Sequence, residues 1–328
     1  MFAIQIAENG SPDVMLGSEL PTPAPGPHEV LVRVEAAGVN FIDVYLRKGL
    51  YKTALPAILG AEGAGVVEQL GPGVTSMAVG DRVGWSDRAG ATSSGGSYAT
   101  HTVVPVARAI PLPASIDAPL AAAVLLQGMT AHYLTQSTYP LRAGQVCLVH
   151  AAAGGVGLLL CQMAKRAGAR VLATVSTEEK AALARGAGAD EVITYTNEDF
   201  EAEARRITHG RGVDVVYDSV GRTTFLKRLG ALAPRGMLVL FGQSSGPVEP
   251  FDPQLLNAKG SLFVTRPSLN HYTATRQELL ARASDVLSWA NNGALQVRVG
   301  AKFALRDAAL AHRALEVRQT TGKVLLIP

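Results

Sequence analysis

The residues with the plainest chemistry are Val146-Cys-Leu-Val-His150-Ala-Ala-Ala-Gly-Gly-Val-Gly157, which run directly into Leu158-Leu-Leu-Cys-Gln-Met-Ala-Lys165. An apolar strand pattern meets a tight turn of small residues, and the turn opens an apolar-periodic helix. A second strand pattern, Arg170-Val-Leu-Ala-Thr-Val175, follows Ala167-Gly-Ala169 and completes a βαβ unit. Small residues let backbone approach a pyrophosphate closely, while the helix N-terminus offers free N–H groups and the positive end of its dipole. Ala152, Gly154 and Gly157 fill the three places of G-x-G-x-x-G, with Gly155 and Val156 between the last two. A glycine motif alone says little, but one set between strand and helix points to a dinucleotide.

The end of the second strand distinguishes the nicotinamide cofactors. An NAD site places an acid there for the ribose 2′-hydroxyl. This chain has Ala173-Thr-Val-Ser-Thr177, with no acid. Ser176 and Lys180 suit a 2′-phosphate instead, so NADPH is the expected cofactor. Glu178 and Glu179 read as the first turn of the next helix, where acids complement the dipole. A rival motif, Gly242-Gln-Ser-Ser-Gly246, matches the G-x-S-x-G nucleophile elbow, with Asp252 or Asp285 and then His312 in hydrolase order. That elbow must enter a helix, and Pro247, Pro250 and Pro253 cannot supply one.

The elements that must position these residues fall into two patterns. Strands at 146–150, 170–175, 191–195, 213–217, 236–241 and 262–265 alternate with helices that include 178–185, 198–207 and 222–232. Six strands with helical crossovers make a doubly wound parallel sheet. The first 115 residues are instead β-rich. Short strands at 29–34, 65–68, 81–85 and 98–104 are separated by Gly and Pro, which favours a compact barrel-like domain. An apolar helix at 118–134 joins the two patterns. The tail adds a helix at 276–290, a strand at 296–299, a helix at 306–319 and a strand at 323–327, which should pack back on the first domain.

Composition narrows the partners. The 328 residues are 48% hydrophobic and 17% charged, enough for two cores and against extended disorder. A net charge of +3, with aromatics at 5% and no basic run, gives no electrostatic footprint for nucleic acid. Cys147 and Cys161 flank the glycine turn and read as buried reduced thiols. The uncharged runs 118–141 and 143–164 read as core, because Pro140 breaks one and the glycine turn splits the other. The N-terminus has no basic region and no cleavage signature, so a cytoplasmic location is expected.

Five motifs occur in a telling order: Gly38-Val-Asn-Phe-Ile-Asp43, Gly60-Ala-Glu-Gly-Ala-Gly65, Val79-Gly-Asp-Arg-Val83, Leu126-Gln-Gly-Met-Thr130 and His150-Ala-Ala-Ala-Gly-Gly-Val-Gly157. Together they resemble the medium-chain dehydrogenase/reductase superfamily, specifically its zinc-free quinone oxidoreductase branch, which includes the zeta-crystallins. The resemblance runs through Thr320-Thr-Gly-Lys-Val-Leu325. It implies an α/β chain in which a GroES-like catalytic domain (1–124 and 267–328) is interrupted by a Rossmann domain (125–266), with the nicotinamide in the cleft between them.

The departures from the zinc alcohol dehydrogenases of the same superfamily carry the chemistry. Those enzymes place Cys, His and Cys where this chain has Asn40, Ala61 and Gln127. Asn and Gln are poor zinc ligands and Ala is none. The segment 85–97, where a structural zinc lobe needs four cysteines, has none. No metal is expected. Without a Lewis acid to hold an alkoxide, the reasonable substrates accept hydride readily, as quinones or activated alkenes do. The resemblance implies that Asn40 and Asp43 position the nicotinamide ribose and substrate, with Tyr45 and Tyr51 against the acceptor. It adds Tyr195 to the phosphate site, and Thr130, Phe241, Gln243, Phe263, Thr265 and Lys323 to the cofactor contacts. It assigns Glu62 a structural role. It also implies a homodimer through the late strands of the sheet. Two readings stand beside quinone reduction: a 2-alkenal or enoyl reductase, and a non-catalytic NADPH-binding protein of crystallin-like or RNA-binding type.

Overall fold

The computed structural model describes residues 1–86 and 95–328, and most of the segment read for zinc-lobe cysteines lies outside them. The chain divides into two units: Met1–Gln127 with Thr273–Pro328, and Gly128–Tyr272. The division between them falls inside the continuous helix Ala118–Tyr133.

The first unit is built on a bent sheet. Its strands run in the order Val299–Ala304, Lys323–Ile327, Glu29–Val39, Glu62–Leu70, Arg82–Trp85 and Ile110–Pro111, with His101–Pro105 also pairing Glu29–Val39. The tail therefore does return to the first domain, through Val324 opposite Val39 and Leu325 opposite Gly38. Glu29–Val39 slips register twice against Glu62–Leu70, between Leu31 and Val32 and between Val34 and Ala36. Such irregularities increase bend and twist, and let a long strand wrap around a core. That core includes Val32, Val34, Val67, Trp85, Tyr98 and Leu326, all buried.

Four elements here were not legible in the sequence. Phe2–Ile6, Leu16–Glu19 and Ala57–Ile58 form a second, three-stranded sheet. Phe41–Arg47 is a helix, although its β-branched and aromatic residues favour a strand. Tertiary burial of Val44, Tyr45 and Leu46 overrides that preference. The tail strand expected at 296–299 is Val299–Ala304.

The second unit is the doubly wound sheet. Its parallel strands run in the order Glu191–Thr194, Arg170–Val175, Val146–Val149, Val213–Asp218, Leu232–Leu240 and Phe263–Thr265. The chain leaves Val146–Val149 in one direction, then returns to place Val213–Asp218 on its other side. That reversal is the switch point, where the crevice outside the strands' carboxyl ends takes a ligand. The helix expected at 222–232 is shorter. A 3₁₀ turn at Arg222–Thr224 precedes the helix Phe225–Ala231, after which the strand Leu232–Leu240 begins earlier than the alternation suggested.

Gly65 tests the close approach of the two long strands. A Cβ at this position would collide with the Arg33 carbonyl across the sheet. Gly65→Ala is expected to destabilise the protein by about 1–3 kcal/mol, as overpacking does. Urea unfolding checks it, and an unchanged midpoint would show that the strands separate freely.

Candidate active site

Three strands and a helix bring polar side chains together inside the first unit. Asn40 follows strand Glu29–Val39 directly, strand Glu62–Leu70 begins at Glu62, and strand Lys323–Ile327 begins at Lys323. Gly38 lies opposite Glu62 on one side and Leu325 on the other. Because Gly38 has no side chain, the Glu62 carboxylate and Lys323 ammonium meet over it. A Cβ there would lie 2.7 Å from the Lys323 Nζ and 2.6 Å from the Ala122 carbonyl oxygen.

Lys323 and Glu62 form an ion pair, with side chains 1% and 0% exposed. Lys323 Nζ also donates to Asn40 Oδ1 at 2.8 Å. Asn40 Nδ2 donates to Glu62 Oε2 at 3.0 Å and to the Gly38 carbonyl at 3.2 Å. Gln127 Nε2 donates to Asn40 Oδ1 at 3.3 Å, and the Leu126 N–H donates to Glu62 Oε1 at 2.7 Å. Every polar atom of the Asn40 side chain is thus engaged.

Asp43 lies one helical turn further on and is fully buried. Its Oδ2 accepts from the Asn40 N–H at 2.9 Å, which ties the first turn of Phe41–Arg47. Its Oδ1 accepts from the Ala61 N–H at 3.0 Å, and Tyr98 Oη donates to Oδ2 at 3.1 Å. Asp43 thereby holds the backbone at two of the three positions that correspond to zinc ligands. Both its oxygens accept hydrogen bonds from the surrounding scaffold.

Behind Tyr98 lies a directed chain of donors. Arg47 can only donate, so His312 Nδ1 accepts from Arg47 Nη1 at 3.1 Å. His312 Nε2 then carries the hydrogen and donates to Tyr98 Oη at 3.1 Å. Arg47 is itself paired with Glu316, Nη2 to Oε2 at 2.7 Å. Burial, helped by the Arg47 charge, pushes His312 down to about 3, whereas burial pushes Asp43 up to about 6. Arg47 and Tyr98 escaped the sequence reading, and His312 entered it only as the rival elbow's histidine, because no local pattern links residues so far apart. His312 also cannot serve the rival elbow. The residues after Gly242-Gln-Ser-Ser-Gly246 form no helix before Gln254–Ala258.

Tyr45 and Tyr51 do come together, ring centroids 5.4 Å apart and edge to face, with Phe41 6.0 Å from Tyr45. Tyr45 is buried.

In the second unit the expected dinucleotide residues fall on the glycine turn, on the loops after three other strands, on the edge strand and on the helix that leads into the unit. Gly154 is the N-cap of the helix Gly155–Arg166, and Ala151 before it adopts φ 52°. A side chain at Gly157 would strike the Ala152 backbone at 2.7 Å. Ala152 and Gly157 are buried and Gly155 and Val156 are partly exposed, so the first turn keeps an open face. Ser176 follows strand Arg170–Val175, and Lys180 Nζ reaches Ser176 Oγ at 3.4 Å. Tyr195 follows the neighbouring strand, its N–H bonded to the Val175 carbonyl at 3.1 Å. Phe241 and Gln243 lie in the loop after Leu232–Leu240, which is laced to 218–220 by Phe241 N to Asp218 O at 2.8 Å and Ser244 N to Ser219 O at 3.0 Å. Phe263 and Thr265 occupy the edge strand, and Thr130 is buried in the helix Ala118–Tyr133. Lys323 belongs to the other unit, where its ammonium is held by Glu62 and Asn40.

With this geometry in place, the comparisons with known proteins agree. Residues 26–114 match the alcohol dehydrogenase GroES-like domain, and residues 155–285 match the zinc-binding dehydrogenase family. Quinone oxidoreductase of Pseudomonas aeruginosa is 45% identical over 99% of both chains. A 2-haloacrylate reductase of Burkholderia is 40% identical over 100% of this chain and 99% of its own. The crystal structure of Escherichia coli quinone oxidoreductase complexed with NADPH superposes with a TM-score of 0.96, at 43% identity and covering 100% of both chains. The chain belongs to the medium-chain dehydrogenase/reductase superfamily, in its quinone oxidoreductase branch.

The residues at the three positions that correspond to zinc ligands do not suit the zinc in that second family's description. Asn40 and Gln127 are amides, Ala61 offers only backbone, and the Lys323 ammonium already sits against Asn40. A fixed cation repels a second one. Among the described residues no group of three or more His, Cys, Asp or Glu is placed to hold a metal ion.

The opposed shifts of His312 and Asp43 give a test of the network. The His312 contribution is complete above its unfolded value near 6.5 and is lost as pH falls towards about 3. The Asp43 contribution is complete below its unfolded value of 3.8 and is lost as pH rises through about 6. Between pH 4 and 6 the two nearly cancel. Relative to the parent protein, Asp43→Asn should gain stability with rising pH in that window and His312→Gln should lose it, each by about 1.4 kcal/mol per pH unit. Urea titrations at several pH values check this, and slopes of the same sign would refute it.

Proposed function

We propose that the protein is an NADPH-dependent, zinc-independent quinone oxidoreductase. The observation that carries this reading is the replacement of a metal site by the Asn40–Gln127–Lys323–Glu62 cluster, in a chain aligned from end to end with quinone oxidoreductases. NADPH, when bound, supplies the hydride; a quinone takes it with one proton and leaves as hydroquinone. A buried ammonium and two amides cannot lower an alcohol's pKa as zinc does, but an acceptor that already attracts hydride needs only orientation and hydrogen bonding.

The chain's own residues divide the work. The turn Ala152, Gly154, Gly155, Val156 and Gly157 receives the pyrophosphate on free backbone N–H groups. Ser176, Lys180 and Tyr195 take the 2′-phosphate, with Thr130, Phe241, Gln243, Phe263 and Thr265 lining the rest of the cofactor. Tyr45 and Tyr51 face the acceptor, and Asn40 and Asp43 keep the surrounding backbone in place. A second reading, reduction of an activated alkene, is favoured by the 40% identity to 2-haloacrylate reductase. We also infer a homodimer through the edge strand Phe263–Thr265, whose Phe263 is 57% exposed, and a cytoplasmic location. Among the described residues no helix is long and apolar enough to cross a membrane.

Parallel assays of NADPH oxidation with 1,4-benzoquinone, 9,10-phenanthrenequinone and a 2-alkenal, with and without chelator, test the proposal. Chelator-insensitive turnover favouring a quinone is expected. Preference for the alkenal moves the function to alkene reduction, and tight NADPH binding without turnover of any acceptor leaves a binding role. Ser176→Ala/Lys180→Ala should weaken NADPH binding about 10-fold or more, roughly 1.4 kcal/mol, with NADH binding unchanged. Equal losses for both cofactors, read by fluorescence titration, would remove the 2′-phosphate assignment.

A further inference from the structure

The orientation of the two amides in the cluster is dictated by their charged neighbours. An ammonium only donates and a carboxylate only accepts. Asn40 must therefore turn Oδ1 towards Lys323 and Nδ2 towards Glu62, as the distances of 2.8 and 3.0 Å show. With Asn40 Oδ1 fixed, Gln127 can reach it only through its own NH₂ group, at 3.3 Å. Gln127 then keeps one N–H and its carbonyl oxygen. It is also the most exposed member of the cluster, at 9%, against 5% for Asn40, 1% for Lys323 and 0% for Glu62.

We propose that Gln127 contacts the hydride acceptor, donating its remaining N–H to the acceptor oxygen, and that Lys323 with Glu62 are the positioning residues that set its amide. The proposal rests on the quinone reductase reading. An amide without these neighbours can flip, exchanging donor for acceptor at the same place. The ion pair removes that freedom. Lys323 thus supplies order at this centre rather than direct contact, and its buried ammonium acts through Asn40 on Gln127.

The test uses the NADPH-bound protein and a mutant cycle. Gln127→Leu leaves the ion pair intact and should lower kcat for 1,4-benzoquinone about 100-fold or more, the usual scale for one lost donor to a developing oxyanion. Lys323→Met/Glu62→Gln removes both charges together, so no lone buried charge remains. It should cause a similar loss while NADPH affinity stays near that of the parent. The triple variant should be no slower than either, because a positioning effect vanishes once its target is gone. Additive losses, or a Gln127→Leu protein as fast as the parent, overturn the proposal. Lys323→Arg, which keeps charge and donors, should retain much of the parent rate.

A readout without turnover separates this inference from the activity itself. The Gln127 side-chain NH₂ resonance, assigned in nitrogen-15 spectra by its loss in Gln127→Leu, should shift in Lys323→Arg, where the donor geometry at Asn40 changes and the charge does not. It should also shift when 1,4-dihydroxybenzene is added to the NADP⁺-bound protein. A resonance unmoved by both rejects the proposal even if quinones are reduced. A resonance moved by both upholds the geometry even if the physiological acceptor proves to be an alkene.

Discussion

The architecture of the first unit depends on one buried ion pair, Lys323 with Glu62. Two charges taken out of water are costly, and their attraction offsets that cost only when the remaining donors and acceptors are satisfied. Here they are. Glu62 also accepts from Asn40 and the Leu126 N–H, and Lys323 also donates to Asn40. The pair joins the starts of two strands across Gly38, the penultimate residue of a third. A hydrophobic replacement of equal volume could stabilise the unit equally well, but it would leave the Asn40 amide with no preferred orientation. The polar choice is thus explained by specificity, as a single polar side chain fixes register in a coiled coil.

The second unit solves a different problem, because its site must accept charge from outside. The 218–221 and 241–246 loops are held by backbone bonds to each other, and the glycine turn is held by its own bond from Gly154 to Ala151 and by Ala152 to Thr174, so their shape is set without help from a ligand. Gly157 allows the first turn of the helix to approach the preceding strand, and Ala151 takes the left-handed conformation that redirects the chain. One unit fixes side chains by buried charge, and the other fixes backbone by small residues.

The sequence displayed the second unit almost completely and the first only in part. Strands such as Arg170–Val175 and helices such as Glu178–Gly186 follow from local period and caps, and parallel sheets bury both faces in readable apolar runs. The dinucleotide turn is likewise contiguous. The helix Phe41–Arg47 was hidden because its residues favour strands and its stability comes from burial. The cluster was hidden for a stronger reason. Glu62 and Lys323 are 261 residues apart, and Arg47 and His312 are 265 apart. Asn40 and Gln127 attracted notice as absent metal ligands, yet nothing in their spacing announced the lysine that unites them.

The discontinuity of the first unit has a consequence for the order in which a ribosome can finish the molecule. Residues 128–272 form a contiguous unit, so they can fold as soon as they emerge. Residues 1–127 emerge earlier but wait for the strands Val299–Ala304 and Lys323–Ile327, which carry one edge of their sheet. Until Lys323 arrives, Glu62 has no cation and strand Glu29–Val39 leaves an open edge for other chains. The part of the protein made first is therefore completed last, and the nascent chain passes most of its synthesis with its catalytic half unfinished.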